Sequence, residues 1–184
     1  LADLKKCIDK EDQSHKKSEK QEKNWITMAE IDEVYEKSID KQARALINLY
    51  RHHPLRNDVA DMRVVNADYA FEDGQNYFVI TDDENTPNQL RLSEYKTKNE
   101  YGVKTIDVDT EANEDIMDWL DVSPNNSHLF LNTKNEPINA NTITKFFNRI
   151  FKSTGRKIST TMIRHVVLSE KFGEVHKEQV VKAD

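Results

Sequence analysis

The sequence predicts a protein of the α+β class, mostly helical with a small antiparallel sheet, because its apolar periodicity changes twice along the chain. Helical spacing dominates the first third, strand-like alternation follows in the middle, and helical spacing then returns. Of the 184 residues, 36% are hydrophobic and 33% are charged. This length suits one domain with an attached segment, and a core that is adequate but not large.

The N-terminal part divides near residue 24. Lysines and acids crowd residues 1–23, which we interpret as the end of a preceding domain followed by a charged linker over 14–23. The domain itself is predicted over 24–184. Thr27 and Glu30 form a capping box at the start of its first helix, with Ile26 available as a hydrophobic staple. A second helix over 43–50 should end before Pro54.

The middle of the chain predicts the sheet. Strands are expected at 77–80, 90–95 and 103–108, and the polar segment 96–102 makes the last two a hairpin. A helix should follow around 116–120, and then a short strand at 129–131 with a turn. The remainder predicts helices over 143–150, 160–172 and 175–183, the first of which is closed by Gly155.

Composition excludes several classes of protein. No stretch approaches the roughly 18 apolar residues of a membrane-spanning helix. A single cysteine, Cys7, excludes a disulfide framework and a cysteine-based zinc site. Without a secretory segment, the sequence predicts an intracellular soluble protein. Because the chain begins at Leu1 rather than Met, we expect it to be a fragment.

Charge is distributed unevenly along the chain. The total is 27 − 33 = −6, but residues 58–121 carry 5 basic and 17 acidic side chains, whereas residues 140–171 carry 7 basic and 1 acidic. One face can therefore have a positive field although the total is negative. The basic segment is either a nucleic-acid contact or simply a solvated helix face beside an acidic sheet edge.

Three cationic positions are candidates for chemistry. Arg164 lies in an apolar helical stripe, where its guanidinium needs either a protein carboxylate or a ligand phosphate. Arg56 follows Pro54, and a surface ion pair to Asp58 or Asp61 is the simple alternative. Lys96 lies at the predicted hairpin tip, where a lysine is usually solvated but could also contact a phosphate or act as a general acid.

Together these positions resemble the catalytic domain of tyrosine recombinases, the phage-integrase superfamily. The sequences Pro-Leu-Arg-Asn-Asp at 54–58, Lys-Thr at 96–97 and Ser-Thr-Thr-Met-Ile-Arg-His at 159–165 occur in that order, spaced about 40 and then 68 residues apart. The amino-acid sequences at 24–27 and 54–58 are similar to those of integrases from virophages and large DNA viruses. The resemblance covers roughly residues 24–172.

The resemblance implies a role for each position. Arg56 and Arg164 would hold the scissile phosphate, and Lys96 would protonate the leaving 5′ oxygen, with no metal or cofactor. Thr161 occupies the position where the family usually has histidine or lysine, and His165 cannot simply replace it because His165 lies about 100° around the helix from Arg164. Further DNA contacts are expected from the other cations of these segments: Lys98, Lys145, Arg149, Lys152, Arg156 and Lys157.

The family's nucleophilic tyrosine is not found. No tyrosine follows Tyr101, so we expect the segment that carries it to be missing, and the fragment alone to be inactive and monomeric. The resemblance implies a full-length viral protein that acts on double-stranded DNA inside a host cell as a tetramer. The alternatives are a non-catalytic DNA-binding module, a type IB topoisomerase, and a structural or protein-interaction domain.

Overall fold

The computed structural model describes residues 19–83 and 85–181, which form helices around one four-stranded sheet. The helices are α1 (Glu19–Asn24), α2 (Met28–Lys37), α3 (Lys41–His52), α4 (Lys98–Tyr101), α5 (Thr110–Leu120), α6 (Ala140–Ile150) and α7 (Thr160–Val181), with a 3₁₀ turn at Phe151–Thr154. The strands are β1 (Arg63–Asn66), β2 (Tyr77–Ile80), β3 (Gln89–Leu92) and β4 (Lys104–Asp107). The α+β class predicted from the sequence is confirmed.

The first helices begin and end where local chemistry requires. Thr27 caps α2 and forms the predicted capping box with Glu30. Asp40 caps α3 by accepting hydrogen bonds from two N–H groups of the first turn. The α3 helix ends at His52, two residues before Pro54, in keeping with the rule that the residue before a proline leaves the helical region.

The sheet has the order β1-β2-β3-β4 and differs from the prediction in one pair. Strands β2, β3 and β4 are antiparallel neighbours, as predicted, but β1 runs parallel to β2, with Arg63 opposite Tyr77. The β1 strand was not predicted, because its sequence Arg-Val-Val-Asn has only two apolar residues and no alternation. Parallel strands are joined by a long connection, here residues 67–76 between β1 and β2, so the sequence contains no hairpin turn that would indicate this pair.

Four other segments differ from their predictions. Residues 19–23 of the predicted linker belong to α1, while 14–18 lie outside the described residues. The hairpin connection contains the short helix α4, and the segment 129–131 makes only an isolated bridge from Leu131 to Pro137 instead of a strand. The helices predicted over 160–172 and 175–183 are one continuous helix to Val181, since Gly173 only weakens a helix and does not stop it. Residues 182–184 lie outside the description.

The core is centred on α3, which packs most extensively on α5 and also contacts α2 and α7. Leu46, Leu49 and Tyr50 of this helix are completely buried, and Tyr50 meets Phe147 of α6 edge to face, with ring centroids 5.0 Å apart. Each such side chain stabilises the fold by about 1.5–3 kcal/mol through removal from water. The loop carrying Arg56 leaves directly from the end of this helix.

A polar network joins α2, α3 and α5. The Tyr35 hydroxyl donates to Asp115 Oδ2 over 2.7 Å, and Arg44 and Asn48 donate to the same two groups. Burial and the hydrogen bond to Asp115 raise the pKa of Tyr35 to about 12. Acidic residues of α5 are thus used to hold helices together. In the described part of the chain, no helix is long and apolar enough to cross a membrane.

Candidate nucleic-acid interface and phosphate site

Arg56 lies in the loop after α3, and its main chain is held from two sides. The Tyr50 hydroxyl donates a hydrogen bond to the Arg56 carbonyl oxygen, and the Arg56 N–H donates to Asp58 Oδ2 over 2.9 Å. Burial raises the pKa of Tyr50 well above its ordinary value, so the hydroxyl keeps the proton that it donates. The Arg56 side chain is exposed and forms no ion pair with any described residue, because Asp58 binds the main chain instead.

Lys96 lies in the connection between β3 and β4, just before α4. Its side chain is exposed, and within residues 19–83 and 85–181 it has no carboxylate partner. Glu94, two residues earlier, is bound through both its main-chain N–H and its carbonyl oxygen by the side chain of Asn76. The connection that carries Lys96 is therefore attached to the start of β2 as well as to its own strand.

Arg56 and Lys96 line the same cleft, which has a volume of about 400 Å³. Its lining also includes Asn76 and Gln75 and the acidic residues Asp58, Asp61 and Glu94. Asp61 lies 3.6 Å from the imidazole of His128. Two cations without ion-pair partners among the described residues thus line one open cleft, which they share with three acidic residues.

Arg164 lies on α7, whose first turn is attached to the Arg56 loop. The Thr160 hydroxyl donates a hydrogen bond to Asn57 Oδ1 over 2.7 Å. Thr160 and Arg164 are four residues apart and therefore share one face of the helix. Arg164 is half-buried, and its side chain has no hydrogen bond or ion pair within the described part of the chain. The alternative in which a protein carboxylate neutralises Arg164 therefore finds no partner there.

Thr161 and His165 flank this arginine on the same helix. Thr161 is exposed in the first turn, next to the cap in which Ser159 Oγ accepts a hydrogen bond from the Met162 N–H over 3.2 Å. His165 is half-buried. Neither side chain forms a hydrogen bond to another described residue.

Helix α6 presents the predicted basic face. Its apolar face, which includes Phe147, is buried in the core, while Lys145, Arg149 and Lys152 of α6 and the following 3₁₀ turn are exposed. The Arg149 guanidinium lies over the Phe146 ring, 4.6 Å from its centroid, which limits the positions that the side chain can take. This segment therefore offers three cations to solvent along one side.

Two other predicted DNA contacts, Arg156 and Lys98, are engaged in ion pairs within the protein. Arg156 binds both carboxylate oxygens of Glu30 at 2.7 Å, and Lys98 Nζ lies 2.6 Å from Asp73 Oδ1. The hydrogen bond from Arg156, with that from the Thr27 main chain, lowers the pKa of Glu30 to about 2. Lys157 has an exposed side chain, while its main-chain N–H donates to Asn24 Oδ1.

Sequence reasoning did not single out Asn57, Thr160 and Asn76 as connectors of the site. The first two were part of the quoted motifs, but nothing in a sequence shows which polar side chains bond across the fold. Among the described residues, no cluster of three His, Cys, Asp or Glu side chains is arranged to hold a metal ion.

The model of the phage integrase family matches residues 18–174, and the chain belongs to this family. No curated protein sequence matches the chain significantly.

Solved structures support the same fold. The chain is similar to XerA recombinase, with 13% identity and a TM-score of 0.56, over 80% of this chain and 49% of that one. It is similar to the XerH site-specific recombinase bound to its difH substrate, with 16% identity and a TM-score of 0.53, over 83% and 44%. It is also similar to the lambda integrase catalytic core, with 17% identity and a TM-score of 0.51, over 80% of this chain and 84% of that one.

The chain spans about half the length of the two Xer structures. None of these three relatives is a protein of a virophage or a large DNA virus by its description, so that narrower resemblance stays a prediction.

Proposed function

We propose that the chain is the catalytic domain of a site-specific DNA recombinase, and that Arg56, Lys96 and Arg164 act together on one backbone phosphate. The observation that carries the proposal is that all three cations lack an ion-pair partner in the described residues, while their segments are attached to one another. A half-buried guanidinium without a carboxylate is costly unless a ligand neutralises it. A DNA phosphate supplies that charge.

The proposed chemistry needs two fixed charges and one proton donor. A tyrosine hydroxyl loses its proton to solvent as its oxygen attacks phosphorus, the bond from phosphorus to the 5′ oxygen breaks, and a 3′-phosphotyrosyl link remains. Arg56 and Arg164 stabilise the charge that develops on the phosphate oxygens, and the Lys96 ammonium gives its proton to the leaving 5′ oxygen. Thr161 can donate a hydrogen bond to the same phosphate but cannot act as a cationic acid.

DNA binding is proposed to use the exposed basic side of α6. Lys145, Arg149 and Lys152 would contact phosphates outside the cleft, with Lys157 nearby. Arg156 and Lys98 are better explained as structural ion pairs, because each already has a carboxylate within 2.7 Å. Several related structures are complexes with DNA, which supports double-stranded DNA as the partner. A tetramer on DNA remains part of the proposal for the longer protein.

The test is covalent capture on a nicked duplex that traps the 3′-phosphotyrosyl product. It uses a protein in which this chain continues through a tyrosine after residue 184. The protein should form an adduct. Arg56→Ala or Arg164→Ala should lower the rate of adduct formation by a factor of roughly 10²–10³, the loss seen for single donors at comparable oxyanion sites. Lys41→Ala removes a cation beside the acidic α5 and should leave the rate unchanged. An adduct that forms equally fast without either arginine would contradict the proposal.

A further inference from the structure

Asn76 is a buried amide at the start of β2 that uses its full hydrogen-bonding capacity. The side chain is 6% exposed. Its Nδ2 donates to the carbonyl oxygens of Asp58 and Glu94 over 2.9 and 2.8 Å. Its Oδ1 accepts from the main-chain N–H groups of Ser93 and Glu94 over 2.9 and 2.8 Å. An amide has two donors and two acceptor lone pairs, so none is left over.

These four bonds join the two segments that carry cations in the cleft. Asp58 lies two residues after Arg56, and Glu94 lies two residues before Lys96. The neighbouring Gln75 adds bonds of the same kind, since its Nε2 donates to the Asp61 carbonyl and its own carbonyl accepts from the Ser93 hydroxyl. The start of β2 is therefore the point through which the arginine loop and the lysine turn are held together.

We propose that Asn76 is a positioning residue that sets the placement of Arg56 relative to Lys96 at the phosphate site. This inference rests on the proposed function. Catalytic groups must be held closely, because a misplacement of about 1 Å can cost on the order of 10² in rate. Both cations are exposed and lack ion-pair partners among the described residues, so their placement depends on the main chain that carries them. A buried amide left without its partners is costly, which prevents the two segments from sliding apart.

The informative substitution is Asn76→Asp. It keeps an acceptor for the Ser93 and Glu94 N–H groups but replaces Nδ2 by an oxygen that faces two carbonyl oxygens. The Asn76 link to the Arg56 loop is broken, while the lysine turn keeps two of its three bonds to this side chain, those from the Ser93 and Glu94 N–H groups. Asn76→Ala removes all four bonds without adding a charge. It is used instead if the Asn76→Asp protein does not fold.

Asn48→Asp is the matched control. Asn48 is also a completely buried asparagine, and its Nδ2 donates to Asp115 Oδ2 over 2.8 Å. It lies in the helix network and does not line the cleft. Substitution there should lower stability without changing how Arg56 is held. Comparison of the two variants therefore separates general destabilisation from positioning.

The experiment measures how Arg56→Ala changes the salt dependence of DNA binding in each background. A short fluorescein-labelled duplex is titrated with the 184-residue chain at several salt concentrations, at a temperature where circular dichroism shows every variant folded. In the native chain and in the Asn48 variant, Arg56→Ala should lower the log–log slope by about 0.9, the value for one lost phosphate contact. In the Asn76 variant the slope should already be lower, and Arg56→Ala should change it little.

The outcomes separate this inference from the function on which it rests. Equal losses of slope in the native and Asn76 backgrounds would overturn the positioning role and leave the proposed phosphate site intact. No loss of slope on Arg56→Ala in the native chain would overturn the phosphate contact itself, and with it the role of Asn76.

Discussion

Thr160 and Asn57 are joined by a hydrogen bond of 2.7 Å between their side chains, and this bond attaches the first turn of α7 to the loop that carries Arg56. Thr160 is 3% exposed, so its hydroxyl has little access to water as an alternative partner. The bond connects residues 103 positions apart in the sequence. It is the direct structural link between the segments of the two arginines.

Removing this hydroxyl should lower both stability and DNA affinity. We expect Thr160→Val, which keeps the shape, to reduce the free energy of unfolding by about 1 kcal/mol, the usual value of one hydrogen bond. It should also weaken binding to a short duplex, because α7 loses its attachment to the Arg56 loop. Urea unfolding and fluorescence anisotropy measure the two effects.

Thr81→Val is the control for this prediction. The Thr81 hydroxyl donates within its own turn, to the Thr86 carbonyl oxygen over 2.6 Å, and does not bridge two distant segments. Its loss should lower stability by a similar amount and leave DNA affinity unchanged. Equal effects of both substitutions on affinity would argue against a specific role for the Thr160–Asn57 bond.

DNA binding should depend steeply on salt. If Lys145, Arg149 and Lys152 each contact a phosphate, replacing all three by alanine should reduce the log–log slope by about 2.7, or 0.9 for each contact. Affinity measured between low and physiological salt tests this. A slope that is the same for the native and triple-variant proteins would show that this helix face is merely solvated.

Stability should fall in acid partly through Glu30. Its folded pKa of about 2 is below the ordinary value of 4.5, so its contribution is fully present above pH 4.5 and is lost as the pH falls towards 2. The pair with Arg156 is one-third exposed, which limits its contribution to about 1 kcal/mol. Glu30→Gln keeps a capping residue and should flatten this part of the pH profile of urea unfolding.

Glu33→Gln is the matched control for the acid profile. Glu33 pairs with Lys37 on the exposed side of α2, with 61% of its side chain accessible. Its substitution should change stability by at most a few tenths of a kcal/mol. Identical pH profiles for the native protein and the Glu30 variant would show that the ion pair with Arg156 does not stabilise the fold.

The 184-residue chain should bind DNA without forming a covalent adduct. All six tyrosines precede Arg164, and none of them lines the cleft. Tyr35, Tyr50 and Tyr95 use their hydroxyls as donors to Asp115, the Arg56 carbonyl and the Gly102 carbonyl. Incubation with a nicked duplex followed by denaturing electrophoresis tests the prediction. A shifted band would show that one of these tyrosines is the nucleophile.

The elements with strong local signals could be predicted from the sequence. The capping box at Thr27, the proline stop after α3 and the alternation in β3 and β4 are all set by neighbouring residues. Strand β1 could not be predicted, because its parallel pairing with β2 depends on residues more than ten positions away. The continuity of α7 past residue 172 was not predicted, although Gly173 only weakens a helix and does not stop it.

The sequence allowed the cationic residues of the candidate site to be identified, but not their positions relative to one another or their partners. Arg56, Lys96 and Arg164 were recognised from motif order, and the structure brings the first two to one cleft. The ion pairs of Arg156 and Lys98 were not foreseen, because Glu30 and Asp73 lie 126 and 25 positions away from them. The role of Asn76 could not be predicted from neighbouring residues, since the burial of an amide depends on the fold as a whole.

The most direct test of the account is a crystal structure of the chain bound to duplex DNA. The side-chain nitrogens of Arg56, Lys96 and Arg164 should all lie about 3 Å from oxygens of a single phosphate, the distance of charge-assisted hydrogen bonds. A complex in which Arg56 and Arg164 contact different phosphates, or in which either arginine faces away from the DNA, would contradict it.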